Sequence, residues 1–264
     1  MFITGGSSGI GKATAIYLSQ KGYTVYGTGR KVSTGHHSDG FTFIQMDITD
    51  SNSIDAAVKF ILAKEKRIDV LINNAGLGMA GALEDCTKEE ILNIFNTNVV
   101  GTLEVAKAVL PQMRLQNEGL IINVSSIMGR LSLPFRGIYS ASKFALEAIS
   151  ETLSMEVRQF GIKVVCLEPG DFNTEINANR VVAQKSKSSI YAEKFNPIYS
   201  QITEEVGKSA NPKYVAMVIE KIMLSKNPKL RYKAATWFQS FAVFLHNFLP
   251  PRIFEKLVMN KYKL

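Results

Sequence analysis

The chain has 264 residues, 46% of them apolar, with 31 Lys and Arg against 23 Asp and Glu for a net charge of +8. That length suits one large α/β domain with a sizeable core, and no run of about 18 apolar residues exists to cross a membrane as a helix. Two cysteines, Cys86 and Cys166, exclude a disulfide framework or a zinc site, and the scattered cations, never interleaved with aromatics in a block, exclude a dedicated nucleic-acid surface. A reducing, cytoplasmic setting is the expectation, and no signal peptide is read because a glycine-rich loop begins almost directly after Met1.

In chain order, Met1 to Thr4 reads as the tail of a strand, followed by Gly5-Gly-Ser7-Ser8-Gly9-Ile10-Gly11 and a helix from Lys12 to Gln20. Glycines let a backbone approach a pyrophosphate, and a helix N-terminus offers free N–H groups and a positive dipole end. Gly6-x-x-x-x-Gly11-Lys12 nearly completes a nucleotide triphosphatase loop, but Ala13 stands where a magnesium-binding Ser or Thr is required, and G-x-G-x-x-G is absent. Thr24 to Thr28 is a second strand ending in Arg30 and Lys31, where a dinucleotide fold that prefers NAD places a carboxylate; two cations there point to the 2′-phosphate of NADP(H). His36 and His37 fall in a polar loop. Phe41 to Met46 is a strand ending at Asp47-Ile48, followed by a capped helix from Ser51 to Lys64. Ile68 to Ile72 is a strand ending Asn73-Asn74-Ala75-Gly76, and Lys88 to Met113 reads as one long helix carrying Asn98, with Gly101 on its packing face.

Leu120 to Val124 is a short β-branched run that reads as a buried strand, with Ser125 and Ser126 at its end. Tyr139 then opens a helix to about Phe160, on which Tyr139 and Lys143, four apart, share one face. An ammonium beside a phenol favours the phenolate, and a tyrosine tuned in this way exchanges a proton with a carbonyl or alcohol oxygen. Alone, Tyr-x-x-x-Lys is as common on solvated helices; the cofactor loop gives it weight. Lys163 to Leu167, ending Glu168-Pro169-Gly170, and Leu230 to Ala234 complete about seven strands. Strand and helix alternate, which predicts an α/β fold: a parallel sheet with helices on both faces and ligands beyond the C-terminal strand ends.

These motifs, in this order, resemble the short-chain dehydrogenase/reductase family over about residues 1 to 234. The resemblance implies a single Rossmann-type, doubly wound catalytic domain spanning 1 to 264. Thr4-Gly5-x-x-x-Gly9-x-Gly11 resembles the family's cofactor loop, and Asn73-Asn74-Ala75-Gly76 its sheet-stabilising motif. Asn98, Ser126, Tyr139 and Lys143 fall where its catalytic tetrad does, and the family's thirteen-residue spacing selects Ser126 over Ser125. By the same resemblance Asp47 and Ile48 contact adenine, and Pro169, Gly170 and Thr174 the nicotinamide. Ser126 binds the substrate oxygen, Tyr139 transfers the proton, Lys143 holds the ribose and lowers the tyrosine pKa, and Asn98 anchors a water leading to Lys143. The family has several residues before its first strand, and here there is almost no room for them. A homodimer or homotetramer through the helices around Asn98 and Phe144 is also implied.

Residues 171 to 212 read as a substrate loop whose apolar members, including Phe172, Ile176, Ile190, Phe195 and Ile198, suit an apolar substrate as well as simple packing. Residues 236 to 264 form a C-terminal helical extension: Trp237, Phe238, Phe241, Phe244 and Phe248 at helical spacing, Pro250-Pro251, then a basic amphipathic segment. Core packing or a subunit interface is the first expectation for it, a lid over a greasy pocket the second, and a helix pair lying on an acidic membrane the third. The functional expectation is an NADP(H)-dependent reductase or dehydrogenase acting on a steroid-, retinoid- or lipid-like ketone or alcohol. An acyl-carrier-protein-linked ketoacyl reductase and a non-catalytic NADP-binding sensor or scaffold stand as alternatives; a pure binder has no need of Ser126.

Overall fold

The computed structural model describes residues 1–173, 180–207 and 209–264. In chain order the strands are β1 (Phe2–Ile3), β2 (Tyr26–Gly29), β3 (His37–Ser38), β4 (Phe41–Gln45), β5 (Val70–Asn73), β6 (Met79–Ala80), β7 (Gly119–Val124), β8 (Ile162–Pro169), β9 (Val181–Val182) and β10 (Arg231–Ala234). The α-helices are α1 (Gly9–Gln20), α2 (Ser51–Glu65), α3 (Lys88–Phe95), α4 (Thr102–Gln116), α5 (Gly137–Val157), α6 (Ala192–Gly207), α7 (Lys213–Met223), α8 (Trp237–Phe248) and α9 (Pro251–Tyr262). Eight strands form one sheet in the order β10-β8-β7-β5-β1-β2-β4-β3, parallel except for the edge pair β3–β4, and β6 pairs with β9 apart from it. This is the expected α/β sheet with one strand more than the sequence indicated, because His37–Ser38 of the polar loop folds back on β4.

Two apolar layers hold the sheet. On one face Ile54, Ala57, Val58 and Ile61 of α2 meet Val105, Val109 and Met113 of α4 and Leu153 and Val157 of α5. On the other, Ala15 and Leu18 of α1 meet Val215, Ile219 and Ile222 of α7. The strands read as unbroken apolar runs because both of their faces are covered. β1 is only two residues long, yet it is fully buried between β2 and β5.

The single helix expected from Lys88 to Met113 is divided. A π-helical turn, Asn96–Gly101, separates α3 from α4. A methyl group at Gly101 would strike the Ile48 carbonyl and side chain, so glycine lets this turn approach the end of β4. The extra residue of a π-turn re-aims side chains, and such turns concentrate at functional sites; here it carries Asn98. Within residues 171 to 212, read from the sequence as poorly periodic, Ala192–Gly207 is helical. α6 buries Phe195, Ile198, Ile202 and Val206 along one face, a helical period obscured in the sequence by Pro197 within the helix.

Candidate active site

β1, β5, β7 and β8 end side by side, and a cleft opens beyond them. It is lined by Gly5, Ser8, Gly9 and Ile10 from the β1–α1 turn, Asn74 to Gly78 after β5, Val124 to Met128 after β7, Tyr139 and Lys143 of α5, and Pro169 to Phe172 after β8. The turn after β1 is fixed by hydrogen bonds. Gly5 adopts φ +66°, a left-handed conformation that glycine takes without strain. Thr4 Oγ1 accepts from the amides of Asn74 and Ala75 at 3.0 Å each, and Asn74 Nδ2 donates to the Thr4 carbonyl at 3.0 Å. Gly11 lies behind the cleft, where any side chain would strike the Gly5 carbonyl and the Asn74 amide.

A dinucleotide fits this cradle. α1 begins with no side-chain cap at Ser8 and no acid in its first turn, and its first backbone bond runs from Lys12 N–H to Ser8 O, so its leading N–H groups face the cleft. Ser7 packs over Gly29, beside the exposed Arg30 and Lys31 at the end of β2. Asp47 and Ile48 stand at the end of β4, where Asp47 accepts from the Thr49 amide at 2.9 Å and hydroxyl at 2.7 Å; those bonds hold its carboxyl below the usual range. Thr174 lies outside the described residues.

The four expected catalytic residues converge. Ser126 Oγ accepts from Met128 N–H at 3.1 Å and lies near enough to the Tyr139 phenol to bear on its proton, whereas the buried Ser125 hydroxyl has no partner. Lys143 is buried and donates through Nζ to the Val124 carbonyl at 2.9 Å. Asn98 is fully buried: its Oδ1 accepts from Leu77 N–H at 2.7 Å, and its Nδ2 donates to Leu77 O at 2.9 Å and to Ser142 Oγ at 3.0 Å. A methyl at Gly76 would lie 3.2 Å from Asn98 Oδ1 and 3.6 Å from Lys143 Nζ, so the glycine keeps the space between them open.

One electrostatic expectation is overturned. Burial raises the Tyr139 pKa above its ordinary value, with the nearby Ser126 hydroxyl and the charges of Arg136 and Arg180 opposing it. Lys143 contributes little there, because its ammonium reaches past the ring, 5.9 Å from the centroid, to the Val124 carbonyl. Burial pushes Lys143 itself down to about 8 against the opposing pull of Glu147. The resting phenol therefore holds its proton, which suits it to donate.

Several cleft residues escaped the sequence reading. Arg136 and Arg180 line the cleft, and Asp171 there accepts from Gln239 Nε2 of α8 at 2.8 Å. No spacing rule points to them, since they come from loops and from the C-terminal helix.

A family model of short chain dehydrogenases matches residues 1–185. The chain belongs to the short-chain dehydrogenase family. A 3-ketodihydrosphingosine reductase of Bacteroides thetaiotaomicron is 42% identical over 97% of this chain and 94% of its own length, so the similarity takes in the C-terminal helices. Retinol dehydrogenase 8 of Bos taurus is 34% identical over 89% of this chain and 81% of its own. The crystal structure of a short-chain dehydrogenase from Streptomyces avermitilis superposes with a TM-score of 0.82 at 32% identity, covering 99% of this chain and 95% of that one. As a short-chain dehydrogenase the protein is an oxidoreductase of CH–OH groups, of a family that binds a nicotinamide cofactor and acts on small carbonyl or alcohol substrates.

Proposed function

We propose that this short-chain dehydrogenase interconverts a ketone and a secondary alcohol on a hydrophobic, lipid-like substrate with NADP(H). The observation that carries the reading is the Ser126–Tyr139 pair facing the cleft, with Lys143 and Asn98 packed behind it. When bound, the nicotinamide supplies or accepts the hydride. Gly5, Ser8, Gly9 and Ile10 cradle its pyrophosphate, and Asn74, Ala75, Gly76, Pro169 and Gly170 border the rest. Ser126 holds the substrate oxygen, and Tyr139 gives that oxygen its proton in reduction and removes it in oxidation. Lys143 holds the ribose, and the gap over Gly76 admits a water between Asn98 Oδ1 and Lys143 Nζ to restore the proton. Leu77, Leu133, Phe172 and Val206 give the cleft its apolar wall. A panel of ketones followed by loss of NADPH absorbance tests the assignment; NADPH binding without turnover of any ketone would refute it.

The preference for NADP(H) rests on Arg30 and Lys31, which stand where an NAD-preferring chain needs a carboxylate. Arg30→Asp is expected to shift the ratio of kcat/KM for NADPH over NADH by roughly 10²-fold toward NADH, as the loss of one charge-assisted pair predicts. An unchanged ratio would leave the preference without its residue.

The C-terminal hairpin supports a membrane-surface role. Trp237 (77% exposed), Phe238 (61%), Phe244 (49%) and Phe248 (71%) face outward from α8, and ring stacking runs from Trp237 through Phe241 and Phe244 to Phe248. Only Val243 of α8 and Tyr262 of α9 are buried, so core packing does not account for this face. The α9 segment that follows carries Arg252, Lys256, Lys261 and Lys263, with Lys261 5.6 Å from the Phe238 ring; its one acid, Glu255, pairs with Arg252 at 2.7 Å. Rings plus cations match an anionic bilayer surface, each cation contributing about 1 kcal/mol. No described helix is long and apolar enough to cross a membrane. The protein is expected to pellet with phosphatidylserine vesicles, less so as salt rises, and serine at Trp237, Phe241, Phe244 and Phe248 to abolish pelleting. Equal pelleting of both forms would remove the membrane role.

A further inference from the structure

Arg180 is 8% exposed and lines the catalytic cleft, yet its Nε and Nη1 have no hydrogen-bond partner. Arg136, which precedes α5 and also lines the cleft, has an orphaned Nε as well. A guanidinium carries five N–H donors, and burying them unpaired is costly. Among the described residues nothing relieves the cost in full. Asp171 is the described acid whose charge bears on Arg180, and its carboxylate already accepts from Gln239 at 2.8 Å. The Tyr199 ring, 6.0 Å from the Arg180 guanidinium, offers a π-face but no acceptor. The two arginines also repel each other: burial first, then the Arg136 charge, lowers the Arg180 pKa.

Their place in the fold is built rather than incidental. β9 begins directly after Arg180 and pairs with β6, and the stem of Arg180 lies along Gly78, 3.6 Å from where a side chain there would begin. Both guanidiniums are close enough to Tyr139 for their charges to bear on its proton.

We infer that Arg136 and Arg180 form an oxyanion-binding subsite of the catalytic cleft, and that the substrate is an amphiphilic ketone bearing a carboxylate or phosphate within a few bonds of the reacting carbonyl. A carboxylate or phosphate accepts charge-assisted N–H···O bonds from guanidinium groups, and the orphaned Arg180 and Arg136 donors are the ones it would satisfy. The alkyl part then lies on Leu133, Phe172 and Val206. This inference rests on the ketone-reducing reading for its chemistry, and on the orphaned donors alone for its anion.

The test compares four ketones of one chain length that carry, beside the carbonyl, a phosphate, a carboxylate, a hydroxyl or an amine, with kcat/KM read by NADPH oxidation. One of the anionic ketones is expected to exceed the hydroxyl ketone by roughly 10²-fold, the worth of two charge-assisted bonds. Which anion leads distinguishes the two sources. Arg180→Met and Arg136→Met should each pull that ratio toward one, with Arg180→Lys recovering part of it and thermal unfolding checking that each variant is folded. A preference for the hydroxyl or the amine, or an unchanged ratio in both Met variants, overturns the subsite. Should no ketone be reduced, the catalytic reading fails separately, and calorimetry with dodecyl phosphate, dodecanoate and dodecanol still decides the subsite. The anions are expected to bind at least about tenfold tighter than dodecanol, and to lose that advantage in Arg180→Met. Equal binding overturns it.

Discussion

Tyr139→Phe is expected to cut turnover by about 10²–10⁴-fold, the usual worth of a positioned acid or base, while NADPH binding survives. The ring stays and only the hydroxyl goes. That hydroxyl lies near Ser126 and holds its proton because burial raises its pKa, so it is the group best placed to protonate a substrate oxygen. The cofactor cradle is built from Thr4, Asn74 and the start of α1, and none of its bonds passes through the phenol. A fluorescence titration of NADPH beside a turnover assay reads both quantities on one sample. Turnover at the unmodified rate would remove Tyr139 from the mechanism. Loss of both activity and NADPH binding would mean that the ring shapes the cofactor site instead.

Arg231→Met is expected to destabilise the fold by about 3–5 kcal/mol, as removal of one partner from a buried ion cluster does. Arg231 on β10 reaches Glu147 at 3.0 Å and Glu151 at 2.8 Å, with Glu168 at 3.9 Å. Glu147 and Glu168 are buried, so the substitution strands two carboxylates at the foot of the site. The unfolding midpoint should fall by roughly 10 °C. Burial, then the neighbouring Glu147, raises the Glu168 pKa from 4.5 to about 7. The native state therefore binds this proton more tightly than the unfolded chain. Its contribution to stability is complete below pH 4.5 and is lost as the pH rises through about 7. Loss of Arg231 raises the Glu168 pKa further and extends the losing window to higher pH, while Glu168→Gln should flatten the curve across it. Unfolding midpoints taken from pH 5 to pH 9 separate these outcomes, and an Arg231→Met curve that overlays the native one would show the cluster to be without weight.

The sheet was legible because its strands are covered on both faces and its turns carry glycine. The choice of Ser126 over Ser125 rested on the family resemblance, through its spacing to Tyr139, and not on a pattern within one element. What escaped depended on other things. The π-turn at Asn96–Gly101 leaves the apolar period nearly intact, so it was read through as one helix. α6 was hidden by Pro197. The long exposed aromatics of α8 have a perfect helical period, and period alone does not say which side of a helix meets the core. The Tyr139 pKa was misjudged because neighbouring positions on a helix fix where side chains start and not where they end: Lys143 finishes on a backbone carbonyl. Arg136 and Arg180 needed the closed cleft, since no local pattern marks a donor that lacks its acceptor.

α8 presents two working sides. Gln239 reaches inward to Asp171 and Val243 packs on Ile127, Met128 and Leu131, while the stacked rings look outward. A partner on the rings that favoured one placement of α8 over another would change the cleft's affinity for its substrate, and by thermodynamic reciprocity a filled cleft would change the grip on the rings by the same factor.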